Sequence, residues 1–337
     1  MAVELQTLPA SRGVGKVAEF MSSNVDKNHR WAVVLAGGDG LRLQELTRRI
    51  AGDSRPKQFC PFFGRKTLLT QTRERIAPLF DEEQTIFMLT RTHERFYREQ
   101  LAGVDDRRKL VQPLNRGTGL AMALCLEIIA QQDEDALVAF FPSDHHFVDC
   151  SAFRNTVEYG LGAMEEYPES ILVLGAQARY PEGEYGWIQP GRTLVDSPIH
   201  RLQRVTRFWE KPTLQRAEVL RRHGCLWNTF VMIGLAGAFL ELFGATIPQL
   251  ARTLGASLRD GQLDRFYHET SAVDFSRAVL SRVPERLVVL RDAKSGWMDL
   301  GSPRRVTEAL ALSGMQPQWF VPNGSGASSV RHVAGVC

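Results

Sequence analysis

The sequence predicts an α/β fold with a doubly wound, mostly parallel sheet, and three observations carry the prediction. Strand and helix patterns alternate from Trp31 to Tyr167. The strand patterns Trp31–Ala36, Thr85–Thr90 and Ala136–Phe141 are short continuous apolar runs, as expected of strands buried on both faces of a parallel sheet. Gly37, Gly38 and Gly40 follow the first of them, at the carboxyl end of a strand, where open α/β sheets bind their ligands.

Taken in order, residues 1–29 read as a polar tail, mobile or loosely helical, because Lys, Ser, Asn and Asp outweigh apolar anchors. One large domain is expected over 30–314. Thr67–Leu79 has helical spacing, Leu110–Gln112 is a short strand, and Gly119–Gln132 is a largely apolar helix. Ser151–Tyr167 reads as a helix with Ser151 as its N-cap. The second half adds strands at Ile171–Ala176, Val205–Trp209, Val231–Leu235 and Leu287–Leu290. Helices are expected at Ala236–Thr246, Ser276–Val283 and Pro303–Leu312. The Gly- and Pro-rich segment Pro181–Pro198 suits an inserted β-ribbon lining a pocket. Residues 315–337 form a flexible tail, Gly- and Ser-rich from Pro322. No internal repeat is visible.

With 337 residues, 44% of them hydrophobic and 23% charged, the chain can bury a substantial core. A net charge of +3 lacks the clustered basic face that nucleic acid requires, so no nucleic-acid partner is expected. The five cysteines, Cys60, Cys125, Cys150, Cys225 and Cys337, contain no Cys-x-x-Cys pair, so neither a disulfide framework nor structural zinc is indicated. A reducing cytoplasm fits. Residues 1–30 lack the apolar stretch of a signal peptide, and the longest apolar run, Phe230–Leu240, is too short to span a bilayer. No membrane partner is expected, and a homo-oligomer is compatible with the sequence.

The glycine turn is the centre of the chemistry. Glycines there let backbone N–H groups turn toward a phosphate or base edge, and Arg42 and Lys57 follow as fixed cations suited to a polyphosphate. The other reading is a tight turn with surface charges. A dinucleotide fingerprint fails because Leu43 stands at the third glycine position. A Walker loop fails because Arg65 interrupts Gly64-Arg65-Lys66-Thr67. Leu35-Ala36-Gly37-Gly38-x-Gly40-x-Arg42-Leu43, with Arg55-Pro56-Lys57-Gln58-Phe59, resembles the signature of the sugar-phosphate nucleotidyltransferases. The Pro-Lys-Gln-Phe form is most similar to mannose-1-phosphate guanylyltransferases. The sequence departs at Leu41, where the family usually has Thr or Ser, and at Gln44-Glu45, where it usually carries a proline. The resemblance implies a Rossmann-like, GT-A-like fold and covers roughly residues 31–312.

Other segments join the pattern. Gln112-Pro113-Leu114-Asn115-Arg116-Gly117-Thr118-Gly119 joins a strand to a helix and reads either as a helix entry capped by Thr118 or as a base-reading loop. The resemblance favours the second for Gln112, Asn115, Arg116, Gly117 and Thr118, although Gly119 and Leu120 replace the usual Ala and Pro. Asp144 follows a buried strand and reads either as a turn cap or as a divalent-metal ligand. Adjacent His145 and His146 point apart on a strand and have no spaced soft partners, which argues against zinc. Asp299, in Gly296-Trp297-Met298-Asp299-Leu300-Gly301, is a turn aspartate or the second metal ligand. The family's aspartates at these positions imply the metal reading for both.

On the sugar side, the resemblance points to Tyr185, Gly186, Glu210, Lys211 and Asn228, with Thr229 in place of the usual Ser. Glu210 and Lys211 would otherwise be a solvated strand end. The implied reaction is GTP plus mannose 1-phosphate giving GDP-mannose and pyrophosphate, with Mg²⁺ as cofactor. Asp144 and Asp299 hold the metal, Arg42 and Lys57 offset charge on pyrophosphate, and Lys211 orients the nucleophile. A thymidylyl-, uridylyl- or cytidylyltransferase is the nearest alternative, and a non-catalytic nucleotide-sugar sensor a more distant one. The chain is shorter than relatives carrying a cupin-type isomerase domain, so no isomerase activity is expected.

Overall fold

In the computed structural model the strand that the glycine turn ends is β1 (Arg30–Leu35), one residue earlier than expected. Residues 27–292, 294–317 and 319 are described, and the expectations for 1–26 and for 320–337 lie outside them. α1 (Gln44–Ala51) follows the turn. Its polar sequence hides it from an apolar-periodicity search. α2 (Leu68–Ile76) starts at Thr67, whose hydroxyl accepts the Thr70 N–H. β2 (Thr85–Thr90), the one-turn α3 (Glu94–Tyr97), β3 (Lys109–Gln112), α4 (Gly117–Gln132) and β4 (Leu137–Pro142) complete the alternating half. β1 runs parallel to β2 and to β4, with Ala32 beside Thr85 and Trp31 beside Val138.

After β4 the chain forms the two-residue strand β5 (His145–His146) and then α5 (Cys150–Ala163). The cap of α5 is Asp149, which accepts the Ala152 N–H, and not Ser151, whose hydroxyl donates to Asp149. β6 (Ile171–Gln177), β7 (Gly186–Asp196) and β8 (Arg201–Glu210) lead to α6 (Leu214–Arg222) and β9 (Leu226–Leu235). α7 (Ala236–Thr246), α8 (Pro248–Arg259) and α9 (Leu263–Glu269) precede β10 (Leu287–Asp292), β11 (Met298–Asp299) and α10 (Pro303–Leu312). The helix expected at Ser276–Val283 is a π-type turn over Ser276–Leu280.

The main sheet has nine strands in the order β3-β2-β1-β4-β9-β6-β10-β8-β7, with only β8 and β9 running against the rest. The fold is thus α/β with a mixed, mostly parallel central sheet. The expected ribbon is not a separate insertion: β7 pairs along β8 and returns to pair with β9, Trp187 beside Trp227, so this end of the sheet curls closed. Register shifts on either side of Pro190 supply the bend. Apolar clusters cover both faces of the sheet. A third cluster packs Phe62, Phe63 and Leu68 against Met298, Leu300 and Leu310, each such burial stabilising by about 1.5–3 kcal/mol. It docks the far end of the chain beside β1, where β11 pairs antiparallel with β5 and sets Asp299 opposite His145.

Cys60, Cys125 and Cys225 are buried free thiols, whereas Cys150 is disulfide-bonded, a pairing that the cysteine spacing in the sequence did not indicate. Among the described residues no helix is long and apolar enough to cross a membrane.

The start of α4 is held by residues 272–275: the Gly119 N–H donates to the Val273 carbonyl at 2.8 Å, and the Phe275 N–H donates to the Thr118 hydroxyl at 3.0 Å. A Cβ on Gly119 would lie 2.7 Å from Val273 Cγ1 and 3.1 Å from its carbonyl oxygen. Val273 therefore occupies the space of the alanine methyl that the sequence lacks. Gly119→Ala should cost about 1–3 kcal/mol of stability. A denaturation cycle with Val273→Ala should show positive coupling between the two sites, and additive effects would refute the contact. His146 stacks on Phe63 with ring centroids 4.0 Å apart, and burial, aided by Arg75, pushes its pKa down to about 3. Below its ordinary value of 6.5 the unfolded chain takes up a proton that the folded chain refuses. Stability should then fall with pH, by about 3 kcal/mol between pH 6.5 and 4 from this group. His146→Phe should flatten that part of the pH–stability curve, and an unchanged slope would refute it.

Candidate active site

The glycine turn is shaped by what presses on it. A Cβ at Gly37 would sit 2.5 Å from Gln112 Nε2 and 2.9 Å from Thr90 Oγ1. In its place Thr90 Oγ1 donates to the Gly37 carbonyl at 2.9 Å, and Gln112 Nε2 donates to Thr90 Oγ1 at 3.0 Å. Gln112 Oε1 is left buried without a protein partner. Gly40 takes φ 60°, and a Cβ there would meet Lys57 N at 2.9 Å, so the turn lies directly on Pro56–Lys57. Gln58 Nε2 fastens the two segments by donating to the Ala36 and Gly38 carbonyls at 3.0 and 2.7 Å. This packing is the physical reason for the spacing between the glycines and the lysine.

The two aspartates meet at this point. Asp144 follows β4, whose end is tied to β1 by Ser143 Oγ donating to the Leu35 carbonyl at 2.7 Å. Asp299 arrives on β11. Lys57 Nζ lies 2.9 Å from Asp299 Oδ1 and 3.2 Å from Asp144 Oδ2. Burial opposes charge on Lys57, but the two carboxylates more than offset it, so its pKa is raised. Burial likewise opposes ionisation of Asp299, yet Lys57, His145 and Arg305 hold it well below the usual carboxylate range. His145 Nε2 lies 3.7 Å from Asp144 and 3.8 Å from Asp299. Trp297 Nε1–H can only donate, and it reaches His145 Nδ1 at 3.1 Å. In neutral His145 the proton is therefore on Nε2, facing the carboxylates. Burial, opposed by those carboxylates, lowers the His145 pKa and favours this neutral form.

A cleft of about 520 Å³ opens over this centre. Leu35, Gly37, Gly38, Gln112, Asn115, Gly117 and Thr118 line one side, and Tyr185, Gly186, Glu210, Lys211 and Asn228 the other, with Arg42, Asp144 and Asp299 between them. A Cβ on Gly186 would lie 2.9 Å from Phe208 Cζ and 3.1 Å from Glu210 Oε2, so glycine is what keeps this wall close. Lys211, at φ 49°, sets Nζ 3.4 Å from Glu210 Oε1 and 3.9 Å from Asp274 Oδ2. Burial and the Asp274 charge raise the Glu210 pKa against the pull of Lys211. Arg42 Nη1 donates to Glu184 at 2.8 Å across the mouth of the cleft.

Four expected residues, Ala36, Gly40, Arg116 and Lys57, do not line the cleft. Ala36 is buried, Gly40 shapes the turn from behind, and Arg116 points away, its Nε donating to the Tyr267 carbonyl at 2.8 Å. Lys57 lies beneath the floor, against the two aspartates. Asn115 contributes its amide, donating to Asp39 at 2.9 Å and accepting the Gly117 N–H at 3.1 Å. Glu184, Phe230, Asp274 and Trp297 line the cleft and were not anticipated. The local signal at Asp274 is that of a helix cap, a role it also fills by accepting the Arg277 N–H at 3.1 Å. Among the described residues no group of three or more His, Cys, Asp or Glu is arranged to hold a metal. The donor set present is the Asp144–Asp299 pair.

Comparison with known proteins identifies the family. The nucleotidyl transferase family profile matches residues 31–313. Mannose-1-phosphate guanylyltransferase of Escherichia coli is 24% identical over 283 residues, covering 80% of this chain and 59% of that protein. The alginate biosynthesis protein AlgA of Pseudomonas fluorescens is 30% identical over 284 residues, covering 80% and 56%. The chain thus spans little more than half the length of these curated relatives. A Thermus thermophilus structure described as a mannose-1-phosphate geranyltransferase superposes with a TM-score of 0.73 at 31% identity, covering 84% of this chain and 79% of that one. With most of its length matched by the family profile, the chain belongs to the nucleotidyl transferase family.

Proposed function

We propose that this protein is a mannose-1-phosphate guanylyltransferase, forming GDP-mannose and pyrophosphate from GTP and mannose 1-phosphate. The observation that carries a nucleotidyl transfer is the convergence of Asp144 and Asp299 on one buried cation at the carboxyl end of β4, beside the glycine turn. The names of the matched relatives support the choice of substrates. Gln112 Oε1, buried and without a protein partner, is an acceptor on the side of the cleft assigned to the base.

Two carboxylates with ordinary oxygen donors fit Mg²⁺, which takes one or two of them and completes its shell with phosphate oxygens and water. Bound between Asp144 and Asp299, the ion would supply charge neutralisation at the α-phosphate. The chain's own residues do the positioning. Gly37 and Gly38 offer backbone to the nucleotide, and Gly38 is open, with no atom within 4 Å of the place a Cβ would take. Lys211, Glu210 and Asn228 hold the sugar phosphate so that one of its oxygens attacks the α-phosphorus in line with the leaving pyrophosphate. Arg42, once parted from Glu184, offsets charge on that leaving group. A phosphate dianion needs no general base.

Pyrophosphate release with Mg²⁺ should therefore be greatest with GTP and mannose 1-phosphate among the common nucleoside triphosphates and hexose 1-phosphates. Preference for dTTP, UTP or CTP with glucose 1-phosphate would keep the chemistry and reassign the substrates. Asp144→Ala should lower kcat by about 10²-fold or more while the protein stays folded. Turnover unchanged in that variant would refute the metal role.

A further inference from the structure

We infer that Arg305 is a positioning residue that ties the metal-side carboxylate Asp299 to the sugar-side wall of the cleft. The inference rests on the nucleotidyl transfer proposed above. Arg305 lies on α10 with its side chain 7% exposed. Its Nη1 donates to Asp299 Oδ2 at 3.1 Å and its Nη2 to Glu182 Oε2, while its Cζ stands 4.5 Å from the centre of the Tyr185 ring. Glu182 in turn accepts the Glu184 N–H through Oε1 at 2.9 Å and the Trp187 indole N–H through its backbone carbonyl at 2.8 Å. One guanidinium thus joins β11, the start of β7 and the aromatic floor of the sugar side.

Helix capping does not account for it, since Ser302 caps α10 by accepting the Arg305 backbone N–H. The chain also makes room for the group: a Cβ at Gly301 would lie 2.6 Å from Arg305 Nη1 and 3.0 Å from Asp299 Oδ2. By occupying Oδ2, Arg305 leaves Oδ1 as the oxygen turned to Lys57 and the reaction centre. A planar fork can serve two carboxylates and stack on a ring at once, whereas an ammonium cannot.

The test compares wild type with R305Q, R305K and E182Q in two readouts: steady-state pyrophosphate release with kcat and KM resolved, and Mn²⁺ binding without nucleotide, followed by electron paramagnetic resonance. R305Q removes a cation from beside Asp299, so Mn²⁺ should bind about 3- to 10-fold more tightly while kcat falls about 10-fold or more. R305K keeps the charge, so Mn²⁺ affinity should stay within about 2-fold of wild type while kcat still falls. E182Q loosens only the wall, raising the KM for mannose 1-phosphate about 5-fold with Mn²⁺ affinity unchanged. Unchanged kcat in R305Q overturns the proposal. So does weaker Mn²⁺ binding alongside lower turnover, the pattern of general disruption, and so does wild-type protein that binds no Mn²⁺. Wild type that binds Mn²⁺ but turns over no substrate pair refutes the transferase reading alone, and the Mn²⁺ affinities of R305Q and R305K then decide the role of Arg305.

Discussion

Two carboxylates brought together in a largely buried site repel each other and lose hydration, and the structure depends on answering that cost. Asp144 and Asp299 are held by Lys57, with Arg305 on the far oxygen of Asp299. Removing one partner of such a buried arrangement leaves a charge uncompensated, a penalty of several kcal/mol. Much of the fold near the cleft can be understood as holding these four groups in place. The β5–β11 ladder sets the aspartates side by side, the third apolar cluster anchors α10 behind them, and the glycine turn rests on Lys57.

The arrangement also explains why the glycines differ in purpose. Gly37 admits the Gln112–Thr90 pair, Gly40 admits Lys57, Gly186 admits Glu210, and Gly301 admits the Arg305 guanidinium. Each marks a close approach between a polar side chain or backbone and the site. Gly38, by contrast, lines the cleft and faces open space. Cations and anions are likewise paired around the cleft, Arg42 with Glu184 and Lys211 with Glu210 and Asp274. In the proposed reaction these pairs are the partners that a polyphosphate and a sugar phosphate would displace.

Local pattern made much of this legible. Continuous apolar runs marked β1, β2, β4 and β6 to within a residue or so, because strands buried on both faces leave little polar alternation to confuse the period. The glycine turn, Lys57, Asp144 and the Tyr185–Gly186 segment were visible as residue types at telling places, and the structure gathers them around one cleft. α1, α6, α8 and α9 escaped, being amphipathic or polar surface helices whose apolar faces are defined by neighbours distant in the chain.

By itself the sequence determined the strand and helix alternation and the glycine turn with its following cations, because each rests on short-range sterics and periodicity. Tertiary structure alone decided that Lys57 lies between Asp144 and Asp299, that β7 closes back on β9, and that Arg116 leaves the cleft while Asp274 enters it. It also decided that Arg305, an ordinary helical arginine in sequence, reaches two carboxylates and an aromatic ring. The physical reason is common to all of these: a side chain's partner is set by which distant surface the core packs against it, and no local spacing encodes that direction.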